Sequence, residues 1–348
     1  MPGMVLEEDL YCPKNRLLLL PQGTALNHQN IAKMINHGVS YISSKSGHKT
    51  ERFQLDDRFL YEELTESRQF KEFDKQYAAY LDTLKIEMNS IINGHELEPQ
   101  MFSTVVCSLT KKALTKMDLL NYIRYIRQVD DTIFTHSLNV SILCSLAASW
   151  FSLTSEEAHY LILSGLLHDI GKILIPSEIL NKRGKLTNDE FFIVQRHAQY
   201  GYNILTSHDK VPVPVRLPAL MHHEKADGTG YPRGIDSRHI TKLTSLVSLC
   251  DVYEALTADR IYRQRLSPFY VMRQIEMGKC GHIDAAITKH FLKYLSETFI
   301  GSTVKLNDAI VGKIIHINPQ NVTKPLIQCE SGFIDLSTAK NLDITSIA

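Results

Sequence analysis

The spacing of apolar and polar positions changes character along the chain, and each change marks a segment. In residues 1–50, short apolar runs are broken by Pro and Gly, as in "MVLEEDLYCPKNRLLLLPQGTALN". A helical pattern ending at Gly38 and a further strand pattern follow, which together predict a small α+β module. From "SSKSGHKTERF" the composition turns polar. Residues 51–128 then carry long charged-apolar patterns such as "FKEFDKQYAAYLDTLKIEMNSII", which predict amphipathic helices forming a linker region with a surface for homodimer contacts. Residues 129–300 read as helix after helix. Residues 301–348 switch to the β-rich pattern "TVKLNDAIVGKIIHINP", which predicts a small sheet. The expected fold class is therefore mainly α: a helical bundle with a small α+β N-terminal module and a short β-rich C-terminal extension.

Within the helical segment, several apolar stripes are interrupted by ionisable residues. In "TIFTHSLNVSILCSLA", His136 shares a stripe with Val140, Leu143 and Ala147, so its imidazole is expected to face the core. The next helix opens with a capping box from Thr154 to Glu157 and carries Leu161, Gly165, His168, Asp169 and Lys172 along one face. A second capping box, Thr187 to Glu190, starts a helix whose stripe is Ile193, His197, Gly201 and Ile204. His222 and His223 end a helix after Leu217 and Leu220, at the start of "HHEKADGTGYP". Asp251 lies one turn beyond Val247 and two beyond Leu243.

A single histidine on an apolar face is usually a hydrogen-bonded core residue, and a single inward aspartate is usually a cap or half of an ion pair. The set is different. Burying this many imidazoles and carboxylates would cost about several kcal/mol each unless something compensates, and divalent cations do so. Imidazole and carboxylate without thiolate suits Fe, Mn, Zn, Ni or Co, and disfavours Ca, Mg and iron–sulfur clusters. Seven protein donors exceed the needs of one tetrahedral ion. Two divalent transition-metal ions sharing a carboxylate fit the count, and Asp169, beside His168, is the natural bridge. A metal pair of this kind generates hydroxide near neutral pH and suits phosphate-ester hydrolysis.

Composition excludes other classes. Lys plus Arg and Asp plus Glu are both 38 in 348 residues, so no broad charge favours a nucleic-acid polymer or an anionic membrane. Six cysteines lie far apart with no C-x-x-C pair, which points to free thiols in a reducing, cytoplasmic setting. No apolar run is expected to reach the roughly 18 residues of a membrane span.

The segments "THS" at 135–137, "HDIGK" at 168–172, "HHEKADGTGYP" at 222–232 and "CDVYEALTADRIYR" at 250–263 occur in an order that resembles the HD-GYP family, a branch of the HD-domain metal-dependent phosphohydrolases. The resemblance covers residues 129–300 and implies an HD-type helical bundle that cleaves cyclic di-GMP to pGpG and/or GMP. It implies His136, His168, Asp169, His197, His222, His223 and Asp251 as metal ligands, with Asp169 and Lys172 in catalytic roles. Lys172, Arg260 and Arg263 match positions whose cations face substrate phosphates. The loop with Gly230 and Tyr231 is expected to border the substrate pocket. In the family that loop is also implicated in contacts with diguanylate cyclase (GGDEF) proteins, which are therefore the implied partners. The implied mechanism is in-line attack by a bridging hydroxide, with Lys172 and the metals stabilising charge as the ribose 3′ oxygen leaves.

Two positions depart from the family pattern. Thr132 stands where some members have a glutamate that binds a third metal, so two ions are expected here. Asp130 and Asp131 fall on other helix faces, and Ile261 replaces a common proline. A non-catalytic cyclic di-GMP receptor or scaffold is the alternative of a different class, and a phosphohydrolase acting on another cyclic dinucleotide or nucleotide is the other. The complete donor set favours catalysis.

Overall fold

The computed structural model describes residues 5–11, 18–26, 41–46, 49–54, 65–96, 99–113, 115–129, 132–182, 184–257, 266–307, 310–339 and 341–347. Among them are eleven α-helices and nine strands, and the chain divides into two compact units. One unit comprises Met1–Lys71, Ser267–Tyr270 and Phe299–Ala348, and the other comprises Glu72–Leu266 and Val271–Thr298. The mainly α class with small sheets toward both ends is as expected.

The first unit is built from antiparallel pairings. Strands β1 (Leu10–Tyr11) and β2 (Leu18–Leu20) pair, as do β3 (Tyr41–Ser46) and β4 (Lys49–Gln54), the latter in register from Tyr41 against Gln54 to Ser46 against Lys49. The helix expected to end at Gly38 lies outside the described residues. Strand β4 corrects the expectation of helix from residue 51. "KTERFQ" has no apolar stripe of helical spacing, and its backbone groups pair with β3 instead. Helix starts only at Arg68. Strands β5 (Thr303–Leu306), β6 (Val311–Asn318), β7 (Asn321–Cys329), β8 (Gly332–Asp335) and β9 (Ile344–Ile347) form an antiparallel sheet in the order β8-β7-β6-β5-β9.

The helices lie almost wholly in the second unit. In order, α1 (Arg68–Ile92), α2 (Pro99–Thr110) and α3 (Lys116–Val129) lead into α4 (Ile133–Trp150) and α5 (Ser155–Leu167). A 3₁₀ turn (Ile170–Leu174), the short α6 (Ser177–Leu180), α7 (Asn188–Thr206), α8 (Val213–Met221), α9 (Lys242–Thr257), α10 (Pro268–Glu276) and α11 (Ala285–Glu297) follow. Both predicted capping boxes form, Thr154 with Glu157 and Thr187 with Glu190, and they set where α5 and α7 begin. Helix α4 is the centre of the unit. Val140, Leu143 and Ala147 are buried as expected, but so are Leu138, Ile142 and Cys144, so it is enclosed on all sides and not merely along one stripe. At 18 residues and mean hydropathy 1.2 it also meets the length and composition of a membrane span, contrary to the sequence expectation. In this fold 78% of it is buried inside the protein.

Helices α4 and α5 approach closely because Gly165 has no side chain. A Cβ there would lie 2.7 Å from Cys144 Sγ and 3.0 Å from Ser141 Cα. The face expected to run continuously through Lys172 is interrupted: α5 stops at Leu167, His168 caps it, and Asp169 starts the 3₁₀ turn, closed by Lys172 N–H donating to Asp169 O at 2.9 Å. Adjacent residues of an uninterrupted helix would point about 100° apart. The change of winding lets His168 and Asp169 both face the interior. It also brings Gly171 against α7, where a Cβ would sit 2.0 Å from His197 O. The buried positions of α7 are His197, Ala198, Gly201 and Leu205, so Leu205 rather than Ile204 completes its stripe.

Gly171→Ala is expected to lower stability by about 1–3 kcal/mol or more, the range for overpacking, because the helix backbone cannot yield as a side chain would. Chemical denaturation measures this, and an unchanged midpoint would contradict the close approach.

Candidate metal centre

Four helical elements and one loop bring the sequence-predicted histidines and aspartates together. His136 comes from the first turn of α4, His168 and Asp169 from the junction after α5, and His197 from the middle of α7. His222 caps the C-terminus of α8 and His223 follows it, and Asp251 comes from α9. Their side-chain atoms form two groups. In one, Asp169, His197, His222 and His223 offer donor atoms that all lie within 4.8 Å of one another, and in the other His136, His168 and Asp251 do the same.

Asp169 stands between the groups. Its Oδ1 lies 3.4 Å from His197 Nε2 and 3.6 Å from His222 Nε2, while its Oδ2 lies 3.3 Å from His168 Nε2 and 3.5 Å from His136 Nε2. Lys172 Nζ donates to Oδ2 at 2.5 Å. The two oxygens of one buried carboxylate thus address separate sets of imidazoles.

The hydrogen bonds around the rings determine which nitrogens are available. Nδ1 of His168 donates to Gly165 O at 2.8 Å, that of His197 to Val194 O at 2.6 Å, and that of His222 to Pro218 O at 2.8 Å. A carbonyl can only accept, so in the neutral ring each Nδ1 holds the proton and each Nε2 presents a lone pair. His197 Nε2 and His222 Nε2 face each other at 3.4 Å, and in the neutral rings neither can donate. Among the described residues, His168 Nε2 and Asp169 Oδ1 are buried without a hydrogen-bond partner. Lone pairs and carboxylate oxygens converging without donors form an environment that a divalent cation satisfies and that protein groups alone do not. The donor set therefore fits metal.

Electrostatics agree. Burial, reinforced by His222 and Lys172, holds the His197 imidazole down at about 4, with Asp169 opposing. Burial and His222 likewise push His223 well below its ordinary value. For Asp169 burial acts upward, but Lys172 and His168 overcome it and keep the carboxyl well below the usual range. Asp251 is lowered in the same way, with burial opposed by the hydrogen bond and charge of His136. His136 moves up to about 9, since Glu254 and Asp251 outweigh its burial.

The loop after the paired histidines is laid across His223. Gly230 has no room for a Cβ, which would lie 2.5 Å from His223 O, and Gly228 adopts a φ of +76°. Tyr231 N–H donates to His223 O at 3.2 Å, and the two rings stack with centroids 4.6 Å apart. Burial, with Asp169 and Asp251, raises the Tyr231 phenol above its ordinary value. The carboxylate of Glu224, the acidic residue of "HHE", accepts Arg233 N–H at 2.7 Å and Ile235 N–H at 3.1 Å, pinning the loop.

Thr132 caps α4, its hydroxyl accepting Thr135 N–H at 3.2 Å. Arg260, Arg263, Ile261, Asp130 and Asp131 lie outside the described residues. Sequence reasoning passed over Glu254, Asn139 and Arg127. Glu254 Oε2 lies 2.5 Å from His136 Nδ1, and Oε1 receives Asn139 Nδ2 at 3.1 Å and lies 3.1 Å from Arg127 Nε. The signal was present, since Glu254 follows Asp251 by three positions on the same helix.

The profile of a known family, the HD domain, matches residues 111–287, half of the chain. The chain belongs to the HD domain family. Cyclic di-GMP phosphodiesterase PA4108 of Pseudomonas aeruginosa is 31% identical to this HD domain protein over 235 residues, covering 68% of this chain and 56% of that protein. The 3'3'-cGAMP-specific phosphodiesterase 1 of Vibrio cholerae is 37% identical over 155 residues, covering 44% of this chain and 36% of that protein. The matched part of this chain thus spans about half or less of these curated relatives. Among solved structures, Bd1817, an HDG"Y"P protein from Bdellovibrio bacteriovorus, is similar with a TM-score of 0.53 at 15% identity, covering 84% of this chain and 95% of that one. That is a likeness of fold.

The metal-free protein is expected to be most stable near pH 6.5. Between about 6.5, the unperturbed value for histidine, and 4, the unfolded chain binds protons that buried His197 and His223 refuse, so stability falls with acid. Above about 6.5 the contribution of His136 fades as pH rises through 9, because only the folded state holds that proton. Thermal unfolding of chelator-treated protein across this range checks it, and a flat profile would contradict the assignment.

Proposed function

We propose that this chain is a metal-dependent phosphodiesterase of the HD-GYP branch that hydrolyses cyclic di-GMP to pGpG and/or GMP at a centre of two divalent ions sharing Asp169. The observation that carries this reading is the division of labour at Asp169, with Oδ1 facing His197 and His222 and Oδ2 facing His136 and His168. His136, His168 and Asp251 would hold one ion, and His197, His222 and His223 the other. The ions proposed are Fe or Mn, with Zn, Ni or Co also compatible with these nitrogen and oxygen donors. Bound there, such ions supply a nucleophile from water near neutral pH and electrostatic stabilisation of the phosphate.

The remaining roles fall to the chain itself. Lys172 lies beside Asp169 with its side chain 22% exposed, so its ammonium can meet charge developing on a phosphate oxygen while orienting the carboxylate. Gly230 and Tyr231 would form the edge of the substrate pocket, Tyr231 presenting a rigid ring already stacked on His223. Arg260 and Arg263 complete the proposed phosphate contacts. Thr132 is committed to capping α4, which supports two ions rather than three. The proposal extends to diguanylate cyclase partners at the loop of Tyr231 and to homodimer contacts along helices α1 to α3, in a cytoplasmic protein.

A second substrate reading has its own support. Similarity to a 3'3'-cGAMP-specific phosphodiesterase favours a test of that dinucleotide beside cyclic di-GMP. Protein loaded with Fe or Mn, incubated with each, is expected to yield the linear dinucleotide or mononucleotides from cyclic di-GMP. Binding without product would support the receptor alternative, and faster turnover of 3'3'-cGAMP would support the other substrate.

Substitution separates the roles. Asp169→Ala is expected to lose bound metal and all turnover. Lys172→Ala is expected to keep metal content and slow hydrolysis about 10²–10³-fold, the effect of removing one charge-stabilising group. Elemental analysis beside turnover decides, and an Asp169→Ala variant with full metal content would contradict the shared carboxylate. Tyr231→Ala is expected to weaken substrate binding or partner binding, and no effect on either would leave the loop a mere surface turn.

A further inference from the structure

His168, His197 and His222 take their orientation from the backbone, each Nδ1 bonded to a carbonyl three or four residues earlier in its own segment. Such a ring cannot turn without giving up that hydrogen bond. His136 is held differently. Its Nδ1 meets Glu254 Oε2, on another helix, at 2.5 Å. The carbonyl one turn before it, Thr132 O, receives Arg127 Nη1 at 3.0 Å as well as the helical His136 N–H at 3.0 Å.

Glu254 is itself held by side chains. Its Oε1 lies 3.1 Å from Arg127 Nε and accepts from Asn139 Nδ2 at 3.1 Å, and Asn139 Oδ1 accepts the Tyr77 hydroxyl at 2.8 Å. All of these residues are buried, Tyr77 to within 1% exposure. A carboxylate bonded to Nδ1–H fixes the ring tautomer and makes Nε2 a stronger donor to a cation. His136 Nε2 points toward Asp251 Oδ1 at 3.1 Å and Asp169 Oδ2 at 3.5 Å, inside the group formed with His168.

We propose that Glu254 is a positioning residue for the ion held by His136, His168 and Asp251, kept in place by Asn139 and Tyr77, so that this ion is set in part by a side-chain network reaching α1. The inference rests on the two-ion reading above. It assigns the two ions different sensitivities. The one at His197 and His222 depends on helix backbone, whereas the one at His136 depends on a chain of side chains that a small shift of α1 or α9 would loosen.

The test uses metal content and ring chemistry, not turnover. Full-length wild type, Glu254→Ala, Glu254→Gln and Tyr77→Phe are titrated with Mn(II) against a competing chelator, and zinc-loaded samples give histidine nitrogen NMR spectra. Glu254→Ala is expected to bind one ion about 10–100-fold more weakly, the usual effect of losing a residue that orients a metal-bound histidine, while the other ion keeps wild-type affinity. Glu254→Gln, which still accepts from Nδ1–H, should fall between it and the wild type, and Tyr77→Phe should lose less than Glu254→Ala. The protected Nδ1–H signal of His136 should disappear in Glu254→Ala alone. If Glu254→Ala does not fold, Glu254→Gln and Tyr77→Phe carry the comparison. Unchanged affinities, equal weakening of both ions, or an unaltered His136 signal would overturn the inference. A wild type that binds a single ion would instead defeat the two-ion reading, and the His136 spectrum would then decide the role of Glu254 by itself.

Discussion

A lone pair or a charge buried without a partner is costly, and the helical unit of this protein concentrates several of them around one carboxylate. His168 Nε2 and Asp169 Oδ1 have no hydrogen-bond partner among the described residues, and His197 Nε2 faces His222 Nε2 across 3.4 Å. Removing these groups from water leaves an unmet demand for positive charge of about several kcal/mol per group. Lys172 meets part of it at Oδ2. The rest calls for cations, and the fold is arranged so that they would have well-placed donors.

The local structure follows from that demand. Helix α5 gives way to a 3₁₀ turn where two adjacent residues must both face inward, and Gly171 permits the turn to lie on α7 at the carbonyl of His197. Gly165 allows α4 and α5 to approach, which brings His136 and His168 rings to 5.3 Å. Backbone carbonyls then aim three of the imidazoles by taking their Nδ1 protons. Outside the centre, Glu224 uses its carboxylate to hold the glycine-rich loop that covers His223.

Much of this was legible in the sequence because it rests on local patterns. The capping boxes at Thr154 and Thr187 placed the starts of α5 and α7, and polar interruptions of apolar stripes singled out His136, His197 and Asp251. What the pattern did not reveal depended on contacts distant in the chain. The break after Leu167 is set by packing against α7, and β4 is a strand because β3 supplies its partners. Glu254 was missed since its role is defined by His136, 118 positions away. The enclosure of α4 on every side also escaped a reading that assigned it a single buried face.

The central claim is that the buried donors form two cation positions on opposite oxygens of Asp169. Anomalous diffraction from crystals of Mn-loaded protein tests it most directly. Two peaks are expected, one bounded by Asp169, His197, His222 and His223 and the other by Asp169, His136, His168 and Asp251. Peaks confined to the protein surface, or a buried cluster that stays free of metal while its imidazoles pair with one another, would contradict it.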